Sequence, residues 1–131
     1  MTAAAQVQAA ADALVEAFAR SDTDAYFACF SPDATFVFHT AERRLESRAE
    51  YEQLWAQWVR EDGFRVVSCR STAPRVQVLG DTAVFTHDVH TVVETTGGQE
   101  RSAERETIVF TRAGAGWTAV HEHLSAVPAR G

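Results

Sequence analysis

Gly116-Trp117-Thr118-Ala119-Val120-His121-Glu122-His123-Leu124-Ser125-Ala126-Val127-Pro128 is the stretch from which the rest of the chain is read. Its β-branched and aromatic residues predict a strand from Trp117 to Val127, led in by Gly116 and stopped at Pro128. Upstream, Phe64 to Leu79, Thr82 to Thr95 and Gln99 to Thr111 have the same character. Gly80-Asp81, Gly97-Gly98 and Ala113-Gly114-Ala115-Gly116 separate the four runs. Glycine turns between successive strand-like runs predict antiparallel hairpins.

The first half has a different period. Val7, Ala11, Leu14 and Phe18 make one apolar stripe of a helix from about Thr2 to Arg20. Ser21-Asp22-Thr23-Asp24 supplies capping oxygens for a short second helix, Ala25 to Phe30, which Ser31-Pro32-Asp33 is expected to stop. Ala34 to Thr40 reads as a strand. Ser47 with Glu50 forms a capping box, and Tyr51, Leu54, Trp55, Trp58 and Val59 then recur at helical spacing until Asp62-Gly63. The order predicts an α+β fold, with three N-terminal helices on one face of a mainly antiparallel sheet.

Composition narrows the function. The 131 residues are 46% apolar and 23% charged, which suits one globular domain spanning 1–131. Net charge is −6 and every basic residue is Arg, so clustered positive charge for nucleic acid or anionic membrane is missing. The absence of Lys excludes Schiff-base chemistry. Cys29 and Cys69 lack metal-ligand spacing and read as free thiols. Met1-Thr2-Ala3-Ala4-Ala5-Gln6 has neither a basic nor an apolar targeting segment, and no window resembles a membrane span, so a soluble cytoplasmic protein is expected. There is no G-x-S-x-G elbow, phosphate-cradling glycine loop or dinucleotide fingerprint, and no cofactor is implied.

The pattern G-W-x-x-V-H-x-H-x-S-x-x-P at Gly116 to Pro128 resembles the closing strand of SnoaL-like proteins and of the association (hub) domain of calcium/calmodulin-dependent protein kinase, both in the nuclear-transport-factor-2-like superfamily. Val78-Leu79-Gly80-Asp81, Gly97-Gly98 and Glu106-Thr107 extend the likeness upstream, as do Leu45, Glu50, Tyr51 and Trp55, so that it covers about residues 25 to 128. The resemblance implies a cone-shaped, cystatin-like fold with an internal cavity. It leaves activity open, because the superfamily holds isomerases, cyclases and hydrolases beside transport and assembly domains. Positions where the hub carries pocket arginines are His90, Ile108 and Leu124 here, and its pocket histidine falls at Glu52, so carboxylate recognition by arginines does not carry over.

The resemblance places the even-numbered face of the last three strands in the cavity. That face includes Asp88, His90, Glu104, Glu106, Ile108, Phe110, Glu122 and Leu124. Asp88, His90, Glu106 and Glu122 are the candidate catalytic groups: adjacent buried carboxyls cannot both ionise cheaply, and an imidazole beside them can exchange protons near neutral pH. This row holds only if the hairpin loops keep the strands in phase; a strict two-residue turn at Gly97-Gly98 breaks it by one. Tyr26, Phe38, Tyr51, Trp55 and Trp58, with Ile108, Phe110 and Leu124, are the expected ligand-binding wall, although Trp58 also suits ordinary core. His39 is expected at the rim, and Arg43, Arg44 and Arg48 in a solvated turn.

On the odd-numbered face His121 and His123, with His87 nearby, reach the three-histidine count of catalytic zinc sites. Packing of that face against another subunit accounts for the same residues, and no metal is assigned. The expectation is a pocket protein, homodimeric, that takes a small hydrophobic molecule and performs acid/base chemistry without a cofactor. A non-catalytic binding or oligomerisation module of the same fold is the alternative. Acids on the cavity face would favour neutral or cationic ligands over carboxylates.

Overall fold

Ser47 starts the most sharply bounded helix of the chain. Its hydroxyl accepts from the backbone N–H of Glu50, and Gly63 closes the other end in the left-handed region at φ 63°. In this computed structural model, which describes residues 1–128, the order is α1 (Ala3–Ala19), α2 (Thr23–Ala28), β1 (Phe30–Phe38), α3 (Arg48–Asp62), β2 (Arg65–Leu79), β3 (Thr82–Thr95), β4 (Gly98–Ala113) and β5 (Gly116–Ala126). Thr2 caps α1, and the stripe Val7, Ala11, Leu14 and Ala17 is buried. Phe18, expected to continue that stripe, is only partly buried. Asp22 caps α2. Pro32, read as a stop, lies inside β1, where pairing with β5 is interrupted between Phe30 and Thr35. An edge strand tolerates proline because one side of it needs no ladder donor.

The sheet runs β1-β5-β4-β3-β2, with a parallel β1–β5 pair and antiparallel pairs elsewhere. This is the expected α+β cone, with three N-terminal helices on a curved, mainly antiparallel sheet. Helix α1 packs across β2, β3 and β5, and α3 leans on β1. Phe30, Phe36, Phe85, Ile108 and Phe110 fill the core between them.

Two local features set which side chains face inward. Thr95 pairs with Gly98, leaving only Thr96 and Gly97 in the turn, so odd residues of β3 lie opposite even residues of β4. On β5, Val109 pairs with His121 but Phe110 with Ala119, which makes Val120 the extra residue of a β-bulge. Ala119, before the bulge, and Glu122, after it, are both buried.

The hairpin tip is tied to α3. Thr96 N–H donates to the Asp62 carbonyl at 2.8 Å, and a Cβ on Gly63 would come within 3.2 Å of Thr96 Cγ2. Replacing Gly63 by Ala is expected to destabilise the fold by about 1–2 kcal/mol, the cost of a left-handed non-glycine residue. A lower denaturant midpoint at unchanged slope in guanidinium melts is the check.

Candidate active site

The cavity lies between the helices and the inner sheet face, with a volume of about 660 Å³. Phe18, Tyr26, Phe38, Tyr51 and Trp58 supply its aromatic wall, and β3 adds Val89, Thr91 and Val93. Glu104, Glu106, Glu122 and Leu124 line it from β4 and β5, while Asp62, Thr96, Gly97 and Glu100 also border it. Edge-to-face contacts among Tyr26, Phe27, Phe36, Phe38 and Tyr51 hold the rings in place.

Glu106 and Glu122 are 9% and 2% exposed, so almost nothing of either carboxyl reaches bulk water. Burial dominates their chemistry. Loss of solvation, with the nearby Glu104 carboxylate, pushes Glu106 up to about 8, although a hydrogen bond from Glu122 favours its charged form. Glu122 is raised well above the carboxylate range, by burial first and by Glu106 second. Behind Glu106, His87 Nε2 lies 2.6 Å from Oε1, and His87 Nδ1 lies 2.6 Å from Ser71 Oγ. That spacing would suit an ion pair, yet burial lowers His87 to about 4. The neutral arrangement therefore prevails at pH 7: Glu106 O–H donates to Nε2, and Nδ1–H donates to Ser71 Oγ.

On the other side, Tyr26 donates to Glu122 Oε2 at 3.4 Å, and the Tyr26 and Tyr51 hydroxyls are 3.0 Å apart. Both phenols are pushed well above their ordinary range, first by burial and next by Glu122. Hydrogen bonds thus join Tyr51, Tyr26 and Glu122 in one run and Glu106, His87 and Ser71 in another, and the two runs meet where Glu122 and Glu106 lie diagonally on adjacent strands. A second pair, His39 Nε2 with Glu104 Oε2 at 2.6 Å, sits where the cavity meets solvent.

Several expected site residues lie elsewhere. Asp88 and His90 point away from the cavity, because the tight β3–β4 turn puts His87, Val89 and Thr91 on the inner face instead. His90 faces Thr72 at 3.5 Å on the outer side. Ile108 and Phe110 are inward but wholly buried in core and do not line the cavity. The two tryptophans exchange roles. Trp58 lines the cavity, while Trp55 borders a separate hollow with Phe27, Arg48 and Val59. Tyr26, Phe38, Tyr51, Leu124, Glu106 and Glu122 do come together at the cavity.

The three-histidine arrangement does not form. His87 is inside, whereas His121 and His123 lie past the bulge on the outer face, where His121 contacts Thr35 at 2.8 Å. Among the described residues no three His, Cys, Asp or Glu side chains converge as metal ligands. The sequence reading missed His87 and Ser71 as partners of Glu106. The available signal was the two-residue turn, since a phase shift of one exchanges His90 for His87.

These titrations predict how stability varies with pH. Glu106 and Glu122 hold protons more tightly folded than unfolded, so their contribution is full below the ordinary carboxylate range and is lost as pH rises through about 8. His87 acts in the opposite sense, its contribution being lost as pH falls from its ordinary value towards about 4. Between about pH 6.5 and 8 the raised carboxyls of the folded state bind protons that the unfolded state has lost, and the melting temperature is expected to fall. Glu106→Gln should flatten that slope, as thermal melts at half-unit pH steps would register.

Comparison with known proteins agrees with this architecture. The S. rosetta CaMKII hub superposes with a TM-score of 0.79 at 25% identity, covering 97% of this chain and 98% of that one. A putative calcium/calmodulin dependent protein kinase II association domain from Xanthomonas campestris gives 0.77 at 19% identity, over 93% and 86% of the two chains. An NTF2-like protein from Cytophaga hutchinsonii gives 0.82 at 11% identity, over 97% and 100%. No curated protein matches. The family description that matches, over residues 7–130, is that of the SnoaL-like domain, and the chain belongs to this family.

Proposed function

We propose that the chain, as one SnoaL-like domain, binds a small, mainly apolar molecule in the cavity and moves protons on it with the Glu106–Glu122 pair. The observation that carries this is the position of two buried carboxyls, diagonal neighbours on adjacent strands, on the wall of an aromatic cavity of about 660 Å³. A carboxyl raised to about 8 is mainly protonated at pH 7 and keeps a minor ionised fraction, so it serves as either acid or base. Glu106, flanked by neutral His87, is the group placed to take a proton from a carbon next to a carbonyl. Glu122, held by Tyr26, is placed to donate to the carbonyl oxygen. Isomerisation, cyclisation and hydration all use this pair of steps, and none needs a cofactor.

Exchange of α-protons in D₂O, followed by NMR with 2-tetralone as probe, tests the assignment. The parent is expected to accelerate exchange over buffer, with Glu106→Gln and Glu122→Gln each losing about a hundredfold or more, the usual share of a positioned acid or base. Binding of the probe without faster exchange would favour the non-catalytic reading.

A second reading, assembly, has its own support. The face carrying Val84, Thr86, Thr107, Val109 and His121 is half-buried within the sheet, and the helices pack against the opposite side. Two of the similar structures are a hub and an association domain. Homodimerisation through this face predicts twice the chain mass in light scattering, reduced to a monomer by Val109→Glu. The two readings are compatible, since they use opposite faces.

A further inference from the structure

We infer that the ligand of the cavity is a cation, an apolar or aromatic body carrying an ammonium group, which seats its charge between the carboxyls and the aromatic rings. The inference rests on the cavity being a ligand site, as proposed above, and adds the chemical class. Five carboxyl residues line the space, Asp62, Glu100, Glu104, Glu106 and Glu122, and no arginine among the described residues does. Lys is absent from the chain. Asp62 and Glu100 are exposed, so an entering molecule meets acid first. Further in, the rings of Tyr26, Phe38, Tyr51 and Trp58 share the wall with the buried carboxyls. Ring faces attract cations, and more strongly once water is excluded.

The charge arithmetic separates ligand classes. A carboxylate ligand would add a buried negative charge with no partner, which is costly. A neutral ligand would leave the Glu106–Glu122 pair protonated. An ammonium group supplies the missing counter-charge: the Glu106 O–H bond breaks, its proton passes to solvent, and one positive charge replaces another. The groups facing that carboxyl pair do not compete for this role. Tyr26 from α2, Tyr51 from α3 and Cys69 from β2 are neutral acids raised by burial. His87 from β3 is held neutral by burial, which outweighs the opposing pull of Asp88 on the same strand and of Asp12 on α1. Glu104 on β4 adds negative charge and is bridged to His39 at the end of β1.

Exchange of a proton for a cation has a measurable consequence. Binding of a permanent cation should strengthen about tenfold per pH unit from pH 6 to 8 and level off above, because one proton is released below the carboxyl's pKa. The test uses benzyltrimethylammonium, its uncharged carbon isostere neopentylbenzene, and phenylacetate, with binding read from tryptophan fluorescence and from calorimetry in two buffers of different ionisation enthalpy. The expected order at pH 8 is the cation tightest by about tenfold or more and phenylacetate weakest, with about one proton released on cation binding at pH 6 to 7. Glu106→Gln should retain neopentylbenzene and lose both the preference and the pH slope. Its circular dichroism and melting curve check the fold, and the parent pH series stands without it. Equal or tighter binding of neopentylbenzene, or a flat pH profile for the cation, overturns the inference while leaving the cavity reading intact. Binding of none of the three overturns the cavity reading itself.

Discussion

A carboxyl group removed from water cannot keep its charge without a counter-charge, and the interior of this protein is arranged around that constraint. Glu106 and Glu122 come from different strands, and their partners come from four further elements. Tyr26 is on α2, Tyr51 on α3, His87 on β3 and Ser71 on β2. Each contact is a neutral hydrogen bond, so the network survives burial that an ion pair would resist. Among the described residues no buried side-chain nitrogen or oxygen is left without a partner. The network joins α2 and α3 to the sheet across a space that apolar packing leaves open.

Most of the fold was legible in the sequence because its signals are local. The Ser47–Glu50 cap, the Gly63 stop, the α1 stripe and the glycine turns each act within a few residues, and α1, α3 and the last four strands formed close to their expected bounds, whereas β1 starts at Phe30, four residues before its expected beginning and inside the expected second helix. The site was legible only in part, because face assignment is not local. One residue more or less in a turn inverts every side chain of the next strand. Gly97-Gly98 admitted two phases, and the chain uses the one with Thr96-Gly97 in the turn, which brings His87 inward and turns His90 out. The Val120 bulge had no signal at all in the pattern of residue types, yet it decides that Glu122 rather than His121 faces the cavity. Trp55 and Trp58 were ambiguous for another reason. Both occupy the packed side of α3, and only the placement of neighbouring elements leaves one against open space and the other against Phe18 and Phe27.

The relation to hub domains gains definition from the same geometry. Likeness over nearly the whole chain describes the scaffold, a cone with an inner and an outer sheet face. Scaffold and lining are separable properties. The outer face holds short β-branched and imidazole side chains, whereas the inner face holds aromatic rings and acids, so the two faces differ in chemistry without sharing a residue.

The bulge on β5 also has a bearing on how such a protein diversifies. In that strand, two sets of side chains alternate past Ala119: Glu122 and Leu124 on one side, His121 and His123 on the other. Position of the extra residue decides which set enters the chamber. Removing Val120 would straighten the strand and keep the acids inside, whereas moving the irregularity beyond His123 would set two imidazoles opposite Ile108 and Glu106. A lineage with this strand thus holds two chemical inventories in one segment, and a change of backbone phase exchanges them without altering a single side chain.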